Sequence, residues 1–308
     1  MNSIRGPVFT IYATFTDSDR LDLQNAHNYI EFLLTSGANQ FYLMPYNGRY
    51  GQLRLPEWGT LVREVSDHLS DNAEVTVIIG ERLDGPTDER IEEFLALNLP
   101  NHVILSTLPN ERFFSVDQYV LHFASYATLN RPILAHLMPS ISGFTGQTCD
   151  LTLDLYKALG EMDHIVAVKE DHKSLDHIKA VAAVLPERIS LAIAGRKRLL
   201  MSFAESVGTS FAYLNGLSLI DPAIAFTFWR LLNEDRAACD KFVTQLDDRF
   251  WDGVVAKYGW HRCNRALMEC AGFGKRIERL PMVALSDQEF VEIRQFYSGI
   301  RKVSNRWI

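Results

Sequence analysis

The chain has 308 residues, 47% hydrophobic and 22% charged, a composition that supports a sizeable core and excludes an intrinsically disordered protein. Its 31 basic and 38 acidic side chains give a formal net charge of −7 without any basic run, so we predict no nucleic-acid partner. The four cysteines show no paired spacing of a zinc ribbon or disulfide scaffold. Because neither a signal peptide nor a long apolar stretch occurs, we predict a cytoplasmic protein with no membrane partner.

Short apolar runs rich in β-branched and aromatic residues alternate along the chain with longer segments of helical periodicity. Eight such runs are predicted strands, at residues 8–13, 41–44, 75–80, 103–106, 133–135, 165–169, 189–194 and 211–214. A predicted helix follows each strand, at residues 25–35, 57–69, 88–97, 116–127, 151–159, 175–184, 199–207 and 222–232. Parallel strands joined by crossover helices suit this pattern, because strands covered on both faces are nearly all apolar.

Eight strand–helix units predict an α/β fold, a closed (β/α)8 TIM barrel. An open sheet is disfavoured because no G-x-G-x-x-G follows the first strand. The rest of the chain is a predicted C-terminal helical extension, in which Leu246, Phe250 and Val254 share one helical face. We therefore predict a barrel over residues 1–232 and a helical bundle over residues 233–308, forming one folding unit.

Lys169 is the first candidate for chemistry, because active sites of such barrels lie at the C-terminal ends of the strands. Four apolar residues lead directly into it. Its amine could attack a carbonyl and form a Schiff base. At an ordinary pKa near 10.4 only about 0.04% of the amine is free at pH 7, whereas a pKa of roughly 7–8 frees ~10–50%. The alternative is a lysine that reaches solvent or pairs with a neighbouring acid.

Three segments carry a resemblance to a known family: P-Y-N-G-R at residues 45–49, I-L-A-H-L-M-P at 133–139 and V-A-V-K-E at 166–170. Over nearly the whole chain the sequence resembles the dihydrodipicolinate synthase / N-acetylneuraminate lyase superfamily of class I aldolases. The resemblance implies a barrel with a C-terminal helical bundle. It also implies a homo-oligomer (dimer or tetramer), and a pyruvate-like 2-oxo acid held as a Schiff base on Lys169. We predict no metal and no cofactor.

The family's G-T-T-G-E loop, which holds the carboxylate of the 2-oxo acid, corresponds here to residues 45–49, and of its glycines only Gly48 is kept. The resemblance makes Tyr46, Asn47, Gly48 and Arg49 predicted substrate-binding residues. Asn47 can donate an amide hydrogen bond to a carboxylate, and Arg49 can add a charged fork if it turns inward. The alternative for Arg49 is a loop arginine paired with a surface acid.

His136 stands where the family's Y-N-V-P motif has its proton-relaying tyrosine. Histidine donates and accepts protons near neutral pH, so we predict that His136 is a second catalytic residue. The alternative is a histidine that is hydrogen-bonded in the barrel mouth without a role in turnover. Gly195 and Asn215 follow the seventh and eighth strands and complete the predicted substrate-binding set.

Two family features are missing. No tyrosine pair follows Pro109, and Ile141 stands where dihydrodipicolinate synthases have an arginine for their second substrate. We therefore predict a Schiff-base lyase or aldolase that acts on a 2-oxo acid but does not catalyse that strict reaction. One alternative is a catalytically altered or inactive barrel that binds a small anionic ligand. Another is unrelated anion chemistry at Arg49, Arg82 and Arg196, which predicts that a Lys169→Ala variant stays active.

Overall fold

The computed structural model describes residues 4–109, 115–138, 151–214 and 216–307. These residues form eight parallel strands: β1 (Gly6–Thr10), β2 (Gln40–Leu43), β3 (Thr76–Gly80), β4 (Ile104–Thr107), β5 (Ile133–Leu137), β6 (Ile165–Glu170), β7 (Ser190–Ile193) and β8 (Ala212–Leu214). Each strand pairs with its neighbours in sequence, and β8 pairs with β1 to close the barrel. The predicted TIM barrel is confirmed.

Side chains of each strand point alternately into the barrel and outward to the helices. Leu134 on β5 and Ala167 on β6 belong to the cluster that fills the barrel interior, whereas Val168 packs into the layer between strands and helices. The same alternation two residues further on directs His136 and Lys169 inward, and these two residues are paired in the β5–β6 register. The sheet geometry therefore brings both predicted catalytic residues to the barrel mouth.

The helices that cover the barrel are α1 (Leu23–Thr35), α2 (Leu55–Ser70), α3 (Thr87–Ala96), α4 (Val116–Ser125), α5 (Leu153–Glu161), α6 (Leu175–Val184), α7 (Lys197–Val207) and α8 (Pro222–Glu234). Several begin at a side-chain cap that accepts a first-turn backbone N–H, as at Asp22, Ser115, Ser174 and Asp221. Helix bounds lie within two residues of those predicted, and α6 coincides with its prediction.

The C-terminal extension contains α9 (Arg236–Val243), a π-helical segment (Thr244–Val255) followed by a single α-helical turn (Ala256–Tyr258), α10 (Trp260–Cys270) and α11 (Asp287–Ser304). Leu246, Phe250 and Val254 are buried together, as their spacing predicts, although the wider π turn replaces the expected α-helix. Within the described part of the chain, none of the helices is both long and apolar enough to cross a membrane.

The extension packs over the end of β8 at the barrel mouth. The rings of Trp251 and Trp260 stack there, with centroids 4.8 Å apart and planes 15° apart. A β-carbon on Gly216 would lie 3.1 Å from the Trp260 ring, so the extension approaches this residue closely enough that a side chain there would have to displace the indole. The extension therefore helps to enclose the space above the strand ends.

Candidate active site

Lys169, the penultimate residue of β6, lies in the barrel mouth with 2% of its surface exposed. Its Nζ is 2.6 Å from Nε2 of His136. It also donates a hydrogen bond to the carboxylate of Asp171, two residues along the chain. Asp171 Oδ2 lies 3.0 Å from the same His136 nitrogen, so one amine, one imidazole and one carboxylate meet at a single point.

Burial and the charges of neighbouring groups together set the protonation of this cluster. Burial lowers the pKa of Lys169, while Asp171 opposes the change by favouring the ammonium. Burial and the adjacent Lys169 lower the pKa of His136 to about 4, so its imidazole is neutral at pH 7. Burial alone would raise the pKa of Asp171, but Lys169 and His136 outweigh it and hold this pKa well below its ordinary value. The cluster therefore contains a neutral histidine beside a lysine that loses its proton more easily than usual.

Tyr42 and Ser106 support His136 from below. Ser106 stands at a predicted strand end, but no role was predicted for either residue from the sequence. The Tyr42 hydroxyl lies 3.3 Å from His136 Nδ1 and 2.6 Å from the Ser106 hydroxyl. Burial raises the pKa of Tyr42, so its phenol keeps its proton. Strand alternation could have identified both, because Tyr42 on β2 and Ser106 on β4 have inward-facing parity. Their hydroxyls fix the orientation of the imidazole.

Asp171 was also missed, and the reason is local. The predicted strand stops at Lys169, whereas the observed β6 extends to Glu170, and the Asp171 N–H still donates to the Leu137 carbonyl at 3.1 Å. The extended pairing keeps the alternation of faces through Asp171, so its side chain points inward beside Lys169. The adjacent Glu170 points outward instead, where Tyr156 donates to its carboxylate.

A cavity of about 190 Å³ opens above the lysine. It brings together five of the predicted site residues, namely Lys169, His136, Tyr46, Asn47 and Gly195. The ion pair of Asp171 and Lys173 also lines the cavity. The other described lining residues come from the barrel and from the extension: Thr10, Met44, Met138, Ala194, Leu214, Trp251, Trp260 and His261. The three extension residues had no signal in the sequence, because only tertiary packing brings them to the barrel.

The loop after β2 positions Asn47 in this cavity. Gly48 N–H donates to the Met44 carbonyl at 2.7 Å, and a β-carbon on Gly48 would lie 2.6 Å from the Tyr50 ring, so only glycine fits this turn. Asn47 is buried, and its Oδ1 has no hydrogen-bond partner among the described residues. Because a half-turn of the amide exchanges oxygen for nitrogen, this position can present a donor to a ligand carboxylate.

Arg49 points away from the lysine cavity, although its neighbours line it. Its Nη1 donates to the Ile277 carbonyl at 2.6 Å, and Nη2 lies 3.4 Å from Glu278. The guanidinium also lies over the Phe15 ring, 5.1 Å from its centroid. The structure thus pairs Arg49 with a buried acid of the extension, whereas the predicted alternatives were a guanidinium turned inward to the substrate or one paired with a surface acid.

The other residues singled out in the sequence either do not line the lysine cavity or lie outside the described residues. Arg82 pairs with Asp84 and Glu93 at the protein surface, and Arg196 pairs with Asp252. Asn215, Pro139 and Ile141 lie outside the described residues. Gly48 shapes the loop but does not itself line the cavity.

The fold and the site together define the class of this protein: a TIM barrel with an inward lysine at the end of β6 and a helical extension over the barrel mouth. Several solved structures have a similar fold. The 4-hydroxy-tetrahydrodipicolinate synthase of Methylacidiphilum fumariolicum SolV superposes with a TM-score of 0.81 at 20% identity, over 99% of this chain and 98% of that one. A putative dihydrodipicolinate synthetase from Pseudomonas aeruginosa gives 0.81 at 18% identity, over 97% and 100%.

YagE from E. coli K12, a prophage protein of the dihydrodipicolinic acid synthase family solved in complex with pyruvate, gives a TM-score of 0.80 at 16% identity, over 96% of this chain and 98% of that one. No protein-family model and no curated protein sequence matches this chain. The chain therefore has the fold of the dihydrodipicolinate synthases over nearly its whole length, which confirms the fold that the sequence resemblance implied.

Proposed function

We propose that the protein is a Schiff-base-forming lyase or aldolase that acts on a pyruvate-like 2-oxo acid through Lys169. The observation that carries the proposal is the 2.6 Å contact between Lys169 Nζ and His136 Nε2 at the floor of a cavity. A nucleophilic amine needs a lowered pKa and a base within hydrogen-bond reach, and both are present. YagE, which shares this fold, was solved with pyruvate bound.

In the proposed reaction the neutral amine of Lys169 attacks the keto carbon and forms a carbinolamine. The proton released by the amine passes to His136, whose Nε2 lies beside it. His136 delivers that proton to the former keto oxygen, which completes the carbinolamine hydroxyl. A second proton, taken up from solvent through His136, converts this hydroxyl to the leaving water, so the nitrogen keeps one proton in the protonated imine. The protonated imine then accepts the electron pair of the carbon–carbon bond one atom away from the imine carbon as that bond breaks, which gives an enamine. In the opposite direction the imine first loses a proton from the neighbouring carbon, and the resulting enamine supplies the pair as the bond forms.

Asp171 and the cavity wall have supporting roles in this proposal. The Asp171 carboxylate stabilises the positive charge that stays on the Lys169 nitrogen in the protonated imine. Asn47 and Tyr46, from the loop after β2, and the exposed ammonium of Lys173 provide donors for the substrate carboxylate. Gly195 leaves room at the end of β7. We propose no role in this cavity for Arg49 or Gly48.

Borohydride reduction tests the proposal directly, because it converts the imine to a stable secondary amine. We expect wild-type protein to gain the mass of one reduced 2-oxo acid with pyruvate or a longer homologue. A Lys169→Met variant gains none, while Lys157→Met, which removes an exposed lysine of α5, labels like wild type. Absence of an adduct with every acid of the panel contradicts the proposal.

The ion pair between Lys169 and Asp171 favours a second candidate function, a barrel that binds a small anionic ligand without turnover. A carboxylate so close to the amine stabilises the unreactive ammonium. Titration of Lys169 distinguishes the two functions: a pKa left near 10 favours the binding protein, and a depressed one favours the lyase.

We also propose that the protein forms a homo-oligomer, either a dimer or a tetramer, and sedimentation equilibrium tests this proposal.

A further inference from the structure

A second cavity of about 460 Å³ lies next to the lysine cavity, between the loop after β2 and the extension. Tyr46 and His261 line both cavities, and their ring centroids are 6.1 Å apart. Two arginines, Arg49 and Arg265, also line the second cavity. The proposed lyase reaction uses none of this second cavity beyond the shared wall.

The charges around this cavity do not balance. Arg49 and Arg265 both pair with one carboxylate, that of Glu278, so these three buried side chains carry a net charge of +1. Asp84 also lines the cavity, but it is largely exposed and paired with Arg82. Buried cations normally have a full complement of anions, because an uncompensated charge away from water is costly.

The protonation of the cluster reflects this excess. Burial and the charge of Arg265 lower the pKa of Arg49 to about 9, in spite of the nearby Glu278. Burial and the same two arginines lower the pKa of His261 to about 4. Burial is the larger cause of both pKa shifts, and the part contributed by the arginine charges indicates a positive potential, which favours the approach of an anion.

Hydrogen-bonding capacity is also unused. The Nε groups of Arg49 and Arg265 are buried and have no hydrogen-bond partner among the described residues, and Nδ1 of His261 has none either. Arg265 keeps 5% of its side chain exposed, whereas the Arg49 side chain has no exposed surface. Arg265 and His261 are therefore the groups that a ligand can contact. Arg49 is fully buried beneath the cavity surface and acts on the ligand through its charge alone.

We propose that this second cavity, bounded by Arg265, Arg49 and His261, binds a small anion bearing a carboxylate or phosphate group. The anion supplies the second negative charge that the two guanidinium groups lack and accepts hydrogen bonds from the cavity wall. This carboxylate or phosphate is either the far end of a 2-oxo acid that is bound at Lys169 and extends past Tyr46, or part of a separate anion.

Calorimetric titration of the full chain with inorganic phosphate and with succinate tests the site, since neither probe can form a Schiff base. We expect saturable binding of at least one probe. A Gly51→Leu variant fills the cavity, because a β-carbon on Gly51 meets no atom within 4 Å, and we expect it to weaken binding at least tenfold. Gly253→Leu is the matched control, since Gly253 is equally open but lines neither cavity, and it should bind like wild type.

A second variant tests the charge. The variant Arg265→Gln removes the contacting guanidinium and leaves Arg49 paired with Glu278, so the net charge of the three side chains falls from +1 to zero, and we expect at least a tenfold loss of affinity. Absence of saturable binding of both probes, or equal affinity in the Gly51→Leu variant and wild type, overturns the proposal.

The source of the anionic group is distinguished by repeating the succinate titration on protein reduced with borohydride in the presence of pyruvate or of 2-oxoglutarate. Loss of succinate binding only after 2-oxoglutarate assigns the group to the substrate, and binding after both reductions assigns it to a separate anion. The titration of unmodified protein does not depend on Schiff-base formation, so failure of the lyase proposal and failure of this site are separate results.

Discussion

The inner and outer faces of the barrel hold two buried polar clusters with opposite properties. On the inner face Asp171 meets Lys169 and His136 beside a cavity, and its pKa is held well below the ordinary value. On the outer face Glu81, just beyond β3, accepts hydrogen bonds from Thr107 and Tyr126 beneath the helices. Burial raises the pKa of Glu81 to about 7, in spite of Arg90 at 3.7 Å.

The difference shows that residue type alone does not identify a reactive site in this fold. Both clusters contain an acid, a base and a cation, since His122 contacts Thr107 at 2.9 Å in the outer one. Strand parity places one cluster where a small molecule can enter and the other where it joins strands to helices. We interpret the outer cluster as structural and the inner one as chemical, and variants on the two faces test this distinction.

The largest expected effect is at His136. A His136→Gln variant should slow Schiff-base formation by about 10²–10⁴-fold, because the base that takes the lysine proton is lost. Rates of borohydride-trappable adduct formation with pyruvate measure the effect. The outer-face control is His177→Gln, whose imidazole contacts Tyr156 at 3.3 Å, and it should react at the wild-type rate. Equal slowing in both variants would remove the distinction between the faces.

Glu81 should give the next effect, on stability. Its folded-state pKa of about 7 lies above the unfolded value near 4.3, so its stabilising contribution is present at low pH and is lost as pH rises to about 7. The free energy of unfolding should therefore fall by about 3 kcal/mol from this group between pH 4 and pH 8. Urea denaturation should show that Glu81→Gln removes this dependence, whereas the exposed control Glu161→Gln retains it.

Gly48 tests how tightly the mouth loop is packed. A Gly48→Ala substitution places a β-carbon 2.6 Å from the buried Tyr50 ring, and such overpacking typically costs about 1–3 kcal/mol. Urea denaturation measures the loss. Gly253→Ala on the extension has open space and should be neutral or stabilising by about 0.5 kcal/mol. Unchanged stability of Gly48→Ala would mean that the loop can move away from Tyr50.

The smallest expected effect compares two adjacent acids. Asp171 raises the pKa of Lys169 against the effect of burial, and Glu170 acts in the same direction with less weight. In the Asp171→Asn variant the pKa of Lys169 should fall further. The pH at which the rate of adduct formation begins to rise should therefore move to a lower value. Glu170→Gln should move it less. A larger shift from Glu170→Gln than from Asp171→Asn contradicts the assignment of faces.

Much of this fold could be predicted from the sequence because parallel strands covered on both faces are nearly all apolar and stand out from amphipathic helices. The same regularity located Lys169 and His136 at strand ends. It could also have located Tyr42 and Asp171, which keep the inward parity of their strands. The predicted end of β6 at Lys169 hid Asp171, because one further ladder residue preserves the alternation.

Other parts of the site had no local signal. Arg49 contacts Glu278, and Trp251 and His261 reach the cavity from the extension, through contacts that span large separations in sequence. Such docking depends on the shapes of two packed units and not on periodicity within either one. A loop arginine next to predicted binding residues is therefore easily assigned to the wrong cavity.

The location of the trapped adduct tests the central claim most directly. Wild-type protein is reduced with borohydride in the presence of pyruvate, digested and analysed by peptide mass spectrometry. Our account predicts one modified lysine, Lys169, and no modification of Lys173, whose amine lines the same cavity but is largely exposed. An adduct on Lys173 in place of Lys169, or no adduct with any 2-oxo acid tested, would contradict it.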